Sequence, residues 1–230
     1  DYHRPAPHLH TMALVKICGL TDPGMVRVAA EAGADWVGFV LFEKSPRNVL
    51  TSGAGALDAA EELCRFADDL GVASVVLLVN PDDALFEGVL HDVAPTAIQL
   101  HGQETADKVM RHWRDAQGVC ELWKAVSIAS EDDLTDLDQW PADRLLLDAM
   151  PPADSELPGG NGEVMDWSLL DGLTLDKPWL LAGGLTAHNV AAAIAATDAP
   201  AVDVSSGVER APGVKDEDKI RAFIDAAKSA

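Results

Sequence analysis

The sequence predicts an α/β chain folded as a closed (β/α)8 TIM barrel in a single domain. Three observations predict it. Strand-like apolar stretches alternate with amphipathic ones from Met12 to the end of the chain, the pattern of a parallel sheet with helical crossovers. Eight such units fit, at about 27 residues each, near the size of a minimal βα unit. No dinucleotide-binding glycine fingerprint accompanies them, which favours a closed barrel over an open doubly wound sheet. At 230 residues the chain is short for this fold, so most loops must be tight.

The strands expected are Ala13–Cys18, Asp35–Val40, Ala73–Val79, Ala97–Leu100, Glu121–Val126, Arg144–Asp148, Trp179–Ala182 and Ala201–Val204. Each is a short run of β-branched and aliphatic residues bounded by turn residues. The helices expected between them are Pro23–Ala32, Ala54–Leu70, Asp82–Asp92, Thr105–Gln117, Glu131–Gln139, Trp167–Gly172 and His188–Ala196, with Asp216–Ala227 last. Thr21-Asp22-Pro23 and Asn80-Pro81-Asp82 put a capping side chain or a proline at a first turn. Residues 1–11 carry His3, Arg4, His8 and His10 without an apolar core. They read as a leader, tag remnant or flexible extension rather than a secretory signal, leaving residues 12–230 as the barrel. The Pro- and Gly-rich stretch Ala149–Glu163 is long for a compact domain, and such loops are usually functional.

Composition narrows the chemistry. With 38 acidic and 17 basic residues the formal charge is −21, a field that repels phosphate backbones and argues against nucleic acid or anionic membranes as partners. No apolar run approaches the roughly 20 residues of a membrane-spanning helix. Three widely spaced cysteines, Cys18, Cys64 and Cys120, form no zinc-ligand pattern. They fit a reducing, cytoplasmic setting.

A barrel of this kind carries its site where strands end and βα loops begin. The strand ends here are polar. Lys16 and Cys18 share one face of the first strand, because side chains alternate. Gln99 and His101 close the fourth, Asp148 follows three leucines in the sixth, and Asp203 and Ser205 share a face of the eighth. A single such residue is compatible with a satisfied strand cap. All of them at one rim form a site. Gly183-Gly184 and Ser205-Ser206-Gly207 end the seventh and eighth strands, where backbone N–H groups can cradle a phosphate. Glu43-Lys44-Ser45-Pro46-Arg47 brings cations to the same mouth, and the Arg47 fork suits a carboxylate.

The motifs KICGLT (Lys16–Thr21), GFVLFEKSPR (Gly38–Arg47), IQLHG (Ile98–Gly102), LLLD (Leu145–Asp148), GGNG with DW (Gly159–Trp167), LAGGL with NV (Leu181–Val190) and VDVSSGVE with PGVKD (Val202–Asp216) resemble phosphoribosylanthranilate isomerase. They run in order over essentially everything after residue 11. The resemblance implies a step of tryptophan biosynthesis. In it N-(5-phosphoribosyl)anthranilate becomes 1-(o-carboxyphenylamino)-1-deoxyribulose 5-phosphate by an Amadori rearrangement, with no metal or organic cofactor. It implies Cys18 as general base and Asp148 as general acid. It also implies Arg47 on the anthranilate carboxylate and Gly183, Gly184, Ser205, Ser206 and Gly207 on the phosphate. His101 and Asp203 are expected as binding or supporting residues. The chemistry requires a Cys18 thiolate, which Lys16 on the same face is expected to favour by lowering the thiol pKa. It also requires Asp148 to carry its proton as substrate binds, a state that burial or a nearby acid such as Asp203 favours. Departures from the family pattern are Glu43, Asn161 and Met165, where Pro, Ser or Thr, and Phe are common; they concern loop shape.

Rival readings are a dual-specificity isomerase also serving histidine biosynthesis, a Schiff-base aldolase using Lys16 or Lys124, and a sugar-phosphate-binding barrel without catalysis. The first lacks the expected paired aspartates, since the fifth strand supplies none. The last is disfavoured because both proton-transfer residues are present. The partner implied is a small anionic sugar phosphate, with the chain a monomer or homodimer.

Overall fold

The computed structural model describes residues 12–150, 155, 157–160, 162 and 164–230. The expected extension 1–11 and the Asn161 departure lie outside the described residues, as do parts of the Ala149–Glu163 loop. Eight parallel strands close on themselves in chain order: β1 (Leu14–Cys18), β2 (Trp36–Leu41), β3 (Ala73–Leu78), β4 (Ala97–Leu100), β5 (Glu121–Ile128), β6 (Arg144–Ala149), β7 (Trp179–Leu181) and β8 (Ala201–Val204). β8 pairs back onto β1, with Lys16 opposite Asp203. The expected boundaries lie within two residues of these, because a strand's apolar run is local information.

Alternation divides the buried residues into layers. One set, including Val15, Ile17, Val37, Phe39, Val76, Ile98, Leu145, Leu147, Leu181 and Val202, forms one cluster with helical residues such as Val26, Leu63, Phe86 and Phe223. This is the shell between barrel and helices. The other set faces inward. Trp36, Val75, Ala97, Trp123, Leu146, Leu180 and Ala201 fill the barrel, and Cys18, Val40 and Leu77 lie above them towards the mouth. Trp36 and Trp123 meet edge to face at 5.4 Å. The Arg144 guanidinium sits over both rings at 5.1 and 5.2 Å, a cation–π plug at the N-terminal end of the strands.

The helical layer is thinner than expected. The helices are α1 (Pro23–Ala32), α2 (Asp58–Asp69), α3 (Asp83–Gly88), α4 (Ala106–Ala116), α5 (Val190–Thr197) and α6 (Glu217–Lys228). α2 starts four residues later than its sequence suggests, because Gly53 and Gly55 adopt φ of +82° and +84°, which an α-helix cannot contain. α3 gives way to a π-helical turn, Val89–Val93, that ends at left-handed Ala94. The helices expected after the fifth and sixth strands are absent. Glu131–Leu134 and Leu137–Gln139 are 3-10 turns separated by Asp136 at φ +63°, and Trp167–Leu170 is a single 3-10 turn. After β8 the chain adds an antiparallel hairpin, β9 (Glu209–Ala211) and β10 (Val214–Lys215), which the eight-unit pattern does not contain. Pro212-Gly213 is its turn signal.

Candidate active site

A cleft of about 790 Å³, counting its open mouth, lies at the C-terminal rim of the strands. Cys18 reaches it from β1, Arg47 from the loop after β2, His101 from the loop after β4 and Asp148 from β6. Gly183 and Gly184 line it after β7, with Asp203, Ser205, Ser206 and Gly207 on and after β8. These expected site residues therefore meet in one cavity, whereas Lys16 and Gln99, also on the inward faces of their strands, are fully buried and do not line it. Among the described residues no cluster of three or more His, Cys, Asp or Glu could hold a metal ion.

Lys16 and Asp203 form a buried ion pair inside the barrel, Nζ to Oδ1 at 2.8 Å. Burial by itself lowers the Lys16 ammonium, but Asp203 and Cys18 together hold it above its ordinary value. The expected lowering of the Cys18 thiol does not occur. Burial pushes it up, Lys16 opposes that, and Asp203 adds to the rise while Lys215 draws it back. Burial is the main cause, and the alternation that turns Lys16 inward also turns Asp203 inward on the adjacent strand, so the carboxylate opposes part of what the cation does for the sulfur. Cys18 still differs from the other thiols. Burial pushes Cys64 up to about 12 and Cys120 up to about 11, and the charges that act on those two are carboxylates. Gly38, opposite Cys18 on β2, leaves room for the sulfur: a Cβ there would lie 2.9 Å from Sγ.

Asp148 takes its hydrogen bond from His101, Nε2 to Oδ2 at 3.2 Å, and His101 Nδ1 lies 2.8 Å from Gln99 Nε2. With Gln99 donating to Nδ1, the neutral imidazole carries its proton on Nε2, facing Asp148 Oδ2. The expected acidic neighbour, Asp203, is engaged by Lys16 instead. Gly159 closes over this pair, since a Cβ there would lie 2.6 Å from His101 Nε2 and 2.9 Å from Asp148 Oδ2. The described part of the Pro/Gly-rich loop thus reaches the mouth, with Leu157, Pro158, Gly159 and Gly160 lining it. Met165 is buried in the core shell.

The glycine loops approach one another more closely than side chains allow. Gly183 and Gly184 hold φ of +90° and +60°. A Cβ on Gly207 would sit 1.8 Å from the Leu185 carbonyl oxygen, so the loops after β7 and β8 touch through bare backbone. Such a turn is a ready anion cradle. Lys215 supports it from below, donating to the Ser205 carbonyl at 2.8 Å.

Sequence reading missed two buried charge networks. Arg47 gives Nε and Nη2 to the two carboxylate oxygens of Glu209 at 2.7 and 2.9 Å, and Lys215 joins Glu209 at 2.9 Å. Glu104 accepts from the Asn80 and Gly102 amides and from Lys124 Nζ, the last at 2.8 Å. That network ties the loops after β3 and β4 to β5 and so fixes the ground on which His101 stands. Lys124 has its ammonium bonded to Glu104 and the Gly102 carbonyl, so it is a structural cation rather than a free amine. Glu209 and Lys215 were visible only as residues of a motif, flanking a Pro-Gly turn.

Residues 15–226 match the family model described as N-(5'phosphoribosyl)anthranilate (PRA) isomerase. The chain is 53% identical over 212 residues to N-(5'-phosphoribosyl)anthranilate isomerase of Paracoccus denitrificans, covering 91% of this chain and 94% of that one. Its fold is similar to the crystal structure of phosphoribosyl anthranilate isomerase from Thermotoga maritima, with a TM-score of 0.79, 33% identity and coverage of 95% and 100%. A further similar structure, at TM-score 0.75, 32% identity and the same coverage, is a phosphoribosyl anthranilate isomerase in complex with reduced 1-(o-carboxyphenylamino)-1-deoxyribulose 5-phosphate.

Proposed function

The chain belongs to the N-(5'-phosphoribosyl)anthranilate isomerase family, and on that premise we propose that Cys18 and Asp148 divide the proton transfers of its reaction. The enzyme is an aldose–ketose isomerase of tryptophan biosynthesis, converting N-(5'-phosphoribosyl)anthranilate to 1-(o-carboxyphenylamino)-1-deoxyribulose 5-phosphate. Asp148 gives its proton to the ribose ring oxygen as the C1–O bond breaks, and the anthranilate nitrogen supplies the electron pair that forms the C1 iminium. Cys18, as thiolate, then takes the C2 proton. The C2–H electron pair becomes the C1–C2 double bond of an enolamine, and the iminium nitrogen recovers its lone pair. Protonation at C1 and loss of the C2 hydroxyl proton give the ketone. General acid–base help of this kind contributes ~10²–10⁴-fold per group.

The observation that carries this reading is that Cys18 and Asp148 line one cleft with the Gly183-Gly184 and Ser205-Ser206-Gly207 turns. The turns hold the phosphate and the Arg47 end holds the anthranilate carboxylate, so the ribose lies between the thiol and the acid. Local donors are needed because the chain's net charge of −21 opposes an anionic ligand. His101 steadies Asp148 through the 3.2 Å bond, and its Nε2–H offsets the carboxylate charge that appears once the proton is given. Asp203 acts through Lys16 on Cys18. The partner is this one sugar phosphate, handled by a monomer or homodimer. Among the described residues no helix is long and apolar enough to cross a membrane, and three free cysteines fit the cytoplasm. Loss of phosphoribosylanthranilate fluorescence, followed with the unaltered chain and with Cys18→Ser, tests the proposal. Turnover surviving unchanged in the variant removes Cys18 from the mechanism.

A further inference from the structure

An arginine that reads a ligand carboxylate must be prevented from swinging, and must turn one edge of its guanidinium towards the cleft. Arg47 meets both conditions through a residue outside the barrel proper. Its side edge, Nε with Nη2, is taken bidentately by Glu209 at 2.7 and 2.9 Å, the fork-to-fork geometry that fixes a guanidinium plane. The remaining edge, Nη1 with the second Nη2 hydrogen, turns towards the loop after β6: Nη2 lies 3.4 Å from the Gly160 carbonyl. A Cβ at Gly160 would lie 2.7 Å from Nη1. At the root of the side chain, Gly19 leaves space for the Arg47 stem, since a Cβ there would lie 2.7 Å from Cδ. That stem therefore passes directly beside the residue that follows Cys18.

Glu209 is held in turn. The β9–β10 hairpin sets Lys215 opposite it across the strands, with Nζ at 2.9 Å from Oε1, and the Gly213 amide reaches Oε2 at 3.3 Å. Both side chains are almost fully buried. Burial works against the carboxylate, but Arg47 and Lys215 outweigh it and keep Glu209 ionised. Lys215 also donates to Ser205. One carboxylate thus links the guanidinium at one end of the cleft to the glycine turn at the other.

We infer that Glu209 is a positioning residue that sets the enzyme's demand for a carboxylate on the ligand's aromatic ring, by presenting only the outer edge of Arg47 to the cleft. The inference rests on the reading of Arg47 as the carboxylate-binding residue. It accounts for a hairpin that a minimal barrel unit has no need of: the hairpin carries the clamp.

The test compares two ligands, reduced 1-(o-carboxyphenylamino)-1-deoxyribulose 5-phosphate and its phenylamino counterpart lacking the carboxyl group. The ratio of their dissociation constants isolates the carboxylate and cancels any change at the phosphate end. The unaltered chain is expected to favour the carboxylated ligand. Arg47→Gln is expected to abolish the preference, and Glu209→Gln to reduce it by about 10-fold or more. A merely structural role would weaken both ligands alike and leave the ratio unchanged. Glu209→Gln keeping the ratio while Arg47→Gln loses it overturns the inference alone. Arg47→Gln keeping it overturns the reading beneath as well. If Glu209→Gln does not fold, the double variant E209Q/K215Q, which removes one charge of each sign, carries the same comparison. If that also fails, the Arg47 Nε–H resonance of the unaltered, ligand-free chain decides: slow exchange with solvent supports the clamp, and fast exchange overturns it.

Discussion

Lys16 Nζ lies 2.8 Å from Asp203 Oδ1 in the interior of the barrel, so the cation that acts on the Cys18 thiol is itself paired with a carboxylate. Burial raises the Cys18 thiol, and the paired carboxylate adds to that rise against the pull of Lys16. That makes Asp203 a control on the base rather than a bystander.

Replacing Asp203 by Asn therefore lowers the Cys18 pKa. The carboxylate's repulsion of the thiolate disappears, and Cys18 becomes the anionic partner left to the buried Lys16 ammonium. Thiolate absorbance, read against a Cys18→Ser blank, is expected to rise at lower pH than in the unaltered chain. A titration that stays in place or moves upward refutes the coupling.

Cys18→Ser and Asp148→Asn each remove one proton carrier with little change in shape. Turnover is expected to fall ~10²–10⁴-fold in each, with the affinity for the reduced product analogue within a few-fold of the unaltered chain. A variant that loses affinity and turnover together would instead mark its residue as a binding group.

Gly207→Ala forces a Cβ to within 1.8 Å of the Leu185 carbonyl, so the loops after β7 and β8 must separate. Such overpacking costs about 1–3 kcal/mol. Inorganic phosphate binding should weaken, and the thermal unfolding midpoint should fall. Phosphate affinity equal to that of the unaltered chain would show that the two loops do not cradle the anion together.

Glu104 ties the loops after β3 and β4 to Lys124, and its carboxyl is held below the ordinary value of 4.5 because Lys124 and backbone amides outweigh burial. A depressed carboxyl stabilises the fold above its unfolded pKa, and that contribution is lost as pH falls through the lower folded value. Stability should therefore begin to fall below about pH 4.5. Glu104→Gln leaves Lys124 buried without its partner, at a cost of about 3–5 kcal/mol at neutral pH. It should also flatten that acid limb. Chemical denaturation across pH measures both, and an acid limb as steep as before would assign the loss to other carboxylates.

Much of this molecule is local and so could be read along the chain. Strands alternate with a period of two, and their apolar content is contiguous, so β4 (Ala97–Leu100) and β8 (Ala201–Val204) were expected with the bounds they have. The same alternation places Cys18, His101, Asp148 and Ser205 at one rim, because all eight strands run the same way. Helical segments were less legible. Asp136 at φ +63° breaks an amphipathic stretch into 3-10 turns for reasons of backbone geometry that the hydrophobic pattern does not encode.

What the sequence by itself determined is the kind of barrel and the identity of the groups on its rim. Tertiary structure alone decided which charge answers which. Lys16 and Asp203 are 187 residues apart, and Arg47 and Glu209 are 162 apart. How far a buried cation acts on a neighbouring thiol depends on whether a carboxylate stands beside it, and closure of the sheet between β1 and β8 alone brings that carboxylate there.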